Sequence, residues 1–285
     1  MRPTQGRVPN ASNPDTWIDQ LATEGPMARS VEDLGRLLQT QSGYDARAPI
    51  SLQSTIDWSP APAGSTSMRG LRVGWLGDLG GYLPMEEGVL AACRDALRHF
   101  ESAGAAVEEV ALGVDPAPLW ECWLVWRRAL VAARVAPLLE MPRAREKIKP
   151  EALWEYDQSR DLVFAEFMRA SQVRTSFYRH LLGLFEKWDV LVLPSAQVWP
   201  FDVEMRWPQQ IAGRSMDTYH RWMEVTIYAT LAGLPALCVP AGFHPQRSWP
   251  MGMQLIGKHS ADAFLLRVAG AYEAIRADFI KLRPG

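Results

Sequence analysis

The side chains best suited to bind a metal or act as bases are five histidines: His99, His180, His220, His244 and His259. None falls in the H-E-x-x-H pattern that puts two imidazoles on one helix face. The three cysteines, Cys93, Cys122 and Cys238, are too far apart in sequence to form a local zinc pair. Neither a metal nor a cofactor is expected. Gly74, Gly77, Gly80 and Gly81 are clustered, but their spacing is not G-x-G-x-x-G, and no G-x-x-x-x-G-K-S/T loop occurs. A glycine-rich loop leading into a helix is the plainer reading. The absence of a G-x-S-x-G elbow leaves the common Ser-His-Asp hydrolase unsupported. Ser195 follows a short apolar run, Asp189-Val190-Leu191-Val192-Leu193-Pro194, and Trp199 comes soon after it. The residues alone point to a soluble α/β protein with a site near Ser195, Trp199 and a helix from Asp217. They name no reaction.

Composition narrows the classes of partner. A net charge of -2 gives no bulk pull toward nucleic acid or anionic membrane. The basic run from Arg143 to Lys149 is read as a solvated loop. No stretch approaches the ~18 apolar residues that span a bilayer, and the first residues carry no apolar signal core. Three widely spaced cysteines fit a reducing, cytoplasmic setting better than a disulfide framework. Twelve tryptophans require a thick core or an aromatic-lined pocket.

The elements that would position a site emerge from periodicity. Residues 1–29 read as strand and loop, with turn chemistry from Asn10 to Asp15. Ser30, with Asp33 three residues on, caps a helix whose stripe is Val31, Leu34, Leu37 and Leu38. Residues 48–70 are a Pro/Ser/Gly-rich connection. Leu71 to Leu76 reads as a strand, Glu86 to Ala103 as a helix, and Ala106 to Val110 as a strand returning parallel to the first. Helices cover most of 117–188, one apolar over much of its girth and a second from about Ser159 to Trp188. Asp217 is placed as the cap of a helix carrying Trp222, Val225 and Ala229. Gly233 and Pro235 end that helix. Ala236 to Val239 is then expected to be a strand covered on both faces. Met251 to Gly257 reads as another strand. Ser260 is expected to cap a last helix, with Asp262 favoured in its first turn by the helix dipole.

Several segments in order resemble the amidase signature family. Arg2-Pro3-Thr4-Gln5-Gly6-Arg7-Val8 is similar to its Lys/Arg-Pro-Thr-x-Gly-x-Val/Ile segment. Gly25-Pro26-Met27-Ala28-Arg29-Ser30-Val31-Glu32-Asp33 is similar to its Gly-Pro-Met-Ala-Arg-Ser/Thr-Val-x-Asp segment. The strand–helix–strand of 71–111, Asp189 to Ser195, Ala232-Gly233-Leu234-Pro235-Ala236 through Pro240-Ala241-Gly242, and Met251 to Gly257 then come in the family's order. The resemblance covers about residues 2–275. It implies an α/β fold, a mixed sheet flanked by helices, incomplete for want of an N-terminal part. Residues 1–285 would be the C-terminal part of a single amidase domain.

The family's activity, as the resemblance implies, is hydrolysis of a carboxamide by a Ser-Ser-Lys triad, with the lysine held deprotonated by its surroundings. The family's lysine, its Gly-Gly-Ser-Ser-Gly-Gly segment and its nucleophile segment all precede the Lys/Arg-Pro-Thr segment. This sequence starts one residue before that segment, so no catalytic residue is transferred and a truncated chain, inactive alone, is expected. The resemblance carries over only a wall of the acyl pocket: Trp199, Tyr219, Trp222 and Thr226. For Trp222 and Thr226, simple burial in the core is an equally good reading. The expected partner is a small-molecule amide, with no nucleic acid and no membrane, and a homo-oligomer is allowed. The alternatives are a non-catalytic remnant or binding module, and the amidase-like subunit of a tRNA-dependent amidotransferase.

Overall fold

A computed structural model describes residues 1–13, 15–59 and 65–277. Pro14 of the expected turn, residues 60–64 of the expected connection, and residues 278–285 lie outside the described residues. The chain divides into two compact units, 1–113 with 182–285, and 114–181.

The first unit holds α1 (Val31–Gln41), β1 (Arg72–Trp75), α2 (Val89–Ser102) and β2 (Ala106–Glu109). Ser30 caps α1 as expected, its Oγ accepting from Asp33 N at 3.1 Å. The second unit holds α3 (Ala117–Val135), α4 (Ala144–Lys147), α5 (Pro150–Ser159) and most of α6 (Phe164–Lys187), which runs on into the first unit. The strands β3 (Val190–Pro194), β4 (Gln210–Ile211) and β5 (Arg214–Ser215), then α7 (Ile227–Ala232), β6 (Ala236–Phe243), β7 (Pro250–Ile256) and α8 (Asp262–Ile275) complete the first unit.

The main sheet has the order β2-β1-β3-β7-β6. β1 pairs parallel with both β2 and β3, so the expected strand–helix–strand unit is present. β7 pairs antiparallel with β3 and β6. Only glycine fits at Gly74, where an added Cβ would meet Val110 and Leu191 side chains at 2.8 and 2.9 Å. The apolar stripes of α1, α2 and α8 join Val73, Val190, Val192, Leu237, Val239, Met253 and Leu255 in one core. Phe100 stacks on Tyr272 within it at 5.0 Å.

Three local expectations need correction. The strand at Ala236 is neither central nor covered on both faces. It runs to Phe243 at the sheet edge, with Cys238 and Pro240 exposed and Leu237, Val239 and Ala241 buried. Pro240 fits there because an edge strand has no partner for the missing N–H. The basic run is not a plain loop either. Part of it forms α4, and its charges are paired, Arg143 with Glu146 and Arg145 with Asp157 at 2.7 Å.

Ser260 does not cap α8. Its φ is 64°, and its backbone N donates to Thr4 Oγ1 at 3.1 Å. The carboxylate of Asp262 is fully buried and accepts from Thr4 N at 2.7 Å, Thr4 Oγ1 at 2.6 Å and Arg7 Nε at 3.4 Å. Asp262 does stand in the first turn of α8, and its carboxylate is engaged by these internal partners. Among the described residues, no helix is long and apolar enough to cross a membrane.

Removing one partner of a buried ion pair leaves the other charge desolvated and unpaired. Asp262→Ala is therefore expected to destabilise the chain by about 3–5 kcal/mol, read as a lowered urea midpoint. A loss below about 1 kcal/mol would mean that the N-terminal segment is held by other contacts.

Candidate functional site

The site is built on the polypeptide that leaves β3 at Ser195 and rejoins the fold at α7. Ser195 N donates to Gly252 O of β7 at 2.9 Å. A Cβ on Gly252 would lie 2.7 Å from Ser195 Oγ and 2.8 Å from Cys238 Sγ, so glycine lets the hydroxyl and the thiol approach. Cys238 is exposed as a residue, but its thiol packs beside Ser195 and Gly252, and that desolvation pushes its pKa above the ordinary 9.0. At neutral pH it is a thiol and a poor nucleophile.

Two buried glutamines fix the polypeptide beyond Ser195. Gln197, with no exposure, donates through Nε2 to Pro84 O at 3.1 Å and accepts at Oε1 from Val225 N at 3.0 Å. Gln254 of β7 donates to Pro194 O and Val225 O, both at 2.9 Å. Both backbone groups of Val225 are thus held by side-chain amides. Val225 sits where a 3-10 turn (Arg221–Thr226) passes into α7. Buried amides that find hydrogen-bond partners order the chain they touch.

Trp199 is 4% exposed and belongs to the main core. Its backbone N donates to Glu86 Oε2 at 2.7 Å, its Nε1 donates to Glu87 O at 2.9 Å, and its ring meets His244 edge-on at 5.0 Å. Tyr219 and Trp222 lie elsewhere, in a satellite cluster. Trp222 and Trp207 pack on Val198, Ile211 and Met216. Phe201 meets Trp222 edge-on at 5.4 Å, and Trp207 meets Tyr219 edge-on at 6.3 Å. Edge-to-face packing of this kind fixes ring orientation as well as burying area. Thr226 is exposed, and its Oγ1 donates to Met223 O at 2.9 Å. The structure therefore groups Tyr219 with Trp222, places Thr226 just beyond them on the surface, and sets Trp199 apart in the core.

Asp217 is not a helix cap. Its carboxylate takes Arg221 Nε at 3.1 Å and an Arg221 terminal nitrogen at 2.8 Å, and that bond holds its pKa below the usual 3.8. Arg221 also reaches Glu224 at 2.9 Å and Tyr82 OH at 3.4 Å. Tyr228 OH lies 3.4 Å from the other Glu224 oxygen. Arg214 donates to Tyr82 O at 2.7 Å and Gly81 O at 2.8 Å, tying the glycine-rich loop to the β4–β5 hairpin. Burial pushes the Glu224 carboxyl above its usual 4.5, with the Arg221 bond opposing that shift. Burial is also the main cause that pushes Tyr82 up to about 12.

Sequence reasoning missed Gln197, Gln254, Glu224, Phe201 and Trp207. The signal for Gln254 was a polar residue inside the apolar strand of Met251 to Ile256, since a buried amide needs partners. Phe201 and Trp207 lie in an aperiodic stretch that offers no such signal. Among the described residues, no group of three or more His, Cys, Asp or Glu side chains could hold a metal.

The first unit is an α/β protein with a mixed sheet flanked by helices. The chain superimposes on a bacterial aryl acylamidase of the amidase signature family with TM-score 0.85 and 25% identity, covering 100% of this chain and 60% of that one. The Amidase family model matches residues 1–266, and the chain belongs to the amidase family. It is 31% identical over 299 residues to a glutamyl-tRNA(Gln) amidotransferase subunit of Deinococcus radiodurans, covering 97% of this chain and 60% of that protein. It is 29% identical over 280 residues to an acylamidase of Rhodococcus erythropolis, covering 97% and 57%. The chain thus spans under two-thirds of the length of the relatives it matches.

The raised Glu224 pKa has a definite sign in linkage. The native state holds that proton more tightly than the unfolded chain does, so the contribution is present below about pH 4.5 and is lost as pH rises through the raised folded value. Glu224→Gln should therefore gain stability relative to the parent between about pH 4 and about pH 7, measured by urea unfolding at both. A relative loss over that interval would show that pairing with Arg221 outweighs desolvation.

Proposed function

We propose that this chain is the scaffold and acyl-pocket wall of an amidase. The complete enzyme hydrolyses a carboxamide C–N bond to an acid and ammonia or an amine. Residues 1–285 are the C-terminal part of one amidase domain in this reading, and 114–181 are a helical excursion from it. The reacting groups lie outside this chain. The supporting observation is the exposure of the lysines among the described residues, Lys147, Lys149, Lys187 and Lys258. The base of a Ser-Ser-Lys triad needs a lysine taken out of water by its surroundings.

Tyr219, Trp222 and Thr226 form the wall in this reading, with Phe201 and Trp207 packed beside their rings, while Trp199 stays in the core and braces the chain leading to them. An aromatic cluster of this kind suits a flat, apolar acyl group, where rings supply area at low entropic cost. The setting is cytoplasmic, a reading supported by the three free cysteines. The amidotransferase reading draws on the 31% identity to the Deinococcus protein. The aromatic cluster favours the acylamidase reading over it.

The test compares N-benzoyl and N-acetyl para-nitroaniline, measuring release of para-nitroaniline. The chain alone should release none above buffer. A hybrid that joins it to the part of the Rhodococcus acylamidase preceding the shared region should hydrolyse both. Trp222→Ala in the hybrid should raise KM for the benzoyl substrate about tenfold, with a much smaller change for the acetyl one. Hydrolysis by the chain alone would overturn the assignment of the reacting groups. An equal effect on both substrates would overturn the acyl wall.

A further inference from the structure

Trp222 has no polar anchor of its own. Its indole Nε1 is buried and finds no acceptor among the described residues, whereas both N–H groups of Trp199 are taken. The Trp222 ring is therefore placed by packing and by the backbone turn that carries it. That turn is irregular. Met223, next in sequence, leaves helical geometry at φ −115° and ψ 16°. Glu224 follows, with a side chain only 1% exposed. Trp222 and Glu224 stand on either side of the break, so the hold on Glu224 fixes the turn on which the Trp222 ring rides.

Three elements hold the Glu224 carboxylate. Arg221 of the same 3-10 turn reaches one oxygen at 2.9 Å, and Tyr228 OH of α7 lies 3.4 Å from the other. The third is the glycine-rich loop, through Tyr82, 139 residues before Arg221. Tyr82 OH accepts from Arg221 at 3.4 Å and interacts with Glu224 as well, one of the forces that oppose desolvation of that carboxyl. The loop is shaped to deliver it. Gly77, Gly80 and Gly81 have positive φ, and so does Leu79 at 59°, where leucine is rarely found. A Cβ on Gly80 or Gly81 would meet nothing within 4 Å, so conformation and not space calls for glycine there. Such a backbone persists only when its surroundings hold it. Asp78 Oδ1 accepts from Gly81 N at 2.9 Å, and Arg214 donates to the carbonyls of Gly81 and Tyr82.

We infer that the loop at 77–84 supports the acyl wall and that Tyr82 is a positioning residue for Trp222, acting through Arg221 and Glu224; this rests on the acyl-wall reading. Arg214 and Arg221 both belong to the segment that carries Tyr219 and Trp222, so the loop clasps that segment at two points. Without the Tyr82 hydroxyl, Glu224 keeps Arg221 and Tyr228 but the 3-10 turn loses its side-chain tie to the loop. The Trp222 ring then samples more positions. An aryl acyl group must order it on binding, which weakens the complex. A small acyl group uses little of that ring and loses little. In a complete enzyme the effect falls on KM and spares kcat, because the ring is a binding surface.

The test uses the full chain and Tyr82→Phe, which keeps the ring and removes only the hydroxyl. The Trp222 indole N–H signal is followed by NMR while benzamide is added. In the free protein that signal should shift or broaden in Tyr82→Phe, with those of Trp120 and Trp126 unmoved as the check on folding. Benzamide should bind about three- to tenfold more weakly, the worth of one hydrogen bond. In a Trp222→Ala background, Tyr82→Phe should change benzamide affinity no further. That pattern supports the inference. Equal benzamide affinity in the parent and Tyr82→Phe overturns it and leaves the acyl wall standing. An equal loss with and without Trp222 also overturns it, since Tyr82 then acts by another route. A parent that binds no benzamide contradicts the acyl wall, and the free-protein signal then decides the positioning role: a moved Trp222 signal in Tyr82→Phe supports it, and an unmoved one overturns it.

Discussion

A carboxylate with no solvent contact joins the two ends of this fold. Asp262 stands at the start of the last helix and receives hydrogen bonds from Thr4 and Arg7, more than 250 residues earlier. Burying such a charge is costly unless every lone pair is used, and here two donors from the backbone and hydroxyl of Thr4 supplement the guanidinium. The result is a fixed N-terminal segment. Because Thr4 is held, Arg2 can pair with Ala236, and because Arg2 is paired, the outer edge of β6 is defined. The Arg-Pro-Thr-Gln-Gly-Arg-Val run is thus best understood as the strand and knot that complete one side of the sheet.

A second constraint lies across β7 and β3, where Gln254 sits opposite Cys238 and Leu193. Gln197 and Gln254 are neutral and buried, and between them they hold Val225 by both backbone groups. The satellite aromatic cluster lies on the polypeptide between those anchor points. Its rings are therefore carried by a loop whose two ends are fixed to β3 and β7. Between those anchors the backbone holds little regular structure, the short β4–β5 hairpin and the 3-10 turn Arg221–Thr226.

Much of the scaffold was legible in the sequence for local reasons. The Ser30 cap, the helix stripes, the parallel strand–helix–strand unit and Gly233 in the left-handed conformation (φ 64°) all depend on neighbours within a few residues. The misread features depend on distant partners. Asp217 looked like a cap, but Arg221 is the stronger partner for its carboxylate. Asp262 does lie in the first turn of the last helix, and what stayed hidden was its donors at the other end of the chain. The strand at Ala236 looked central because short apolar runs do not reveal which sheet position they take. Of the residues proposed for the wall, Tyr219 and Trp222 share one satellite cluster, whereas Trp199 sits in the core, where Glu86 and Glu87 supply acceptors for its two N–H groups.

The central claim is that this chain presents an acyl-binding wall without carrying the chemistry. The most direct measurement is an NMR titration of the tryptophan indole N–H signals with benzanilide, a compound the chain should bind and leave intact. The account predicts that the Trp222 signal moves, while those of Trp120 and Trp126, buried in the helical unit, do not. Movement confined to the helical unit, or no movement at Trp222 at saturating ligand, would contradict it.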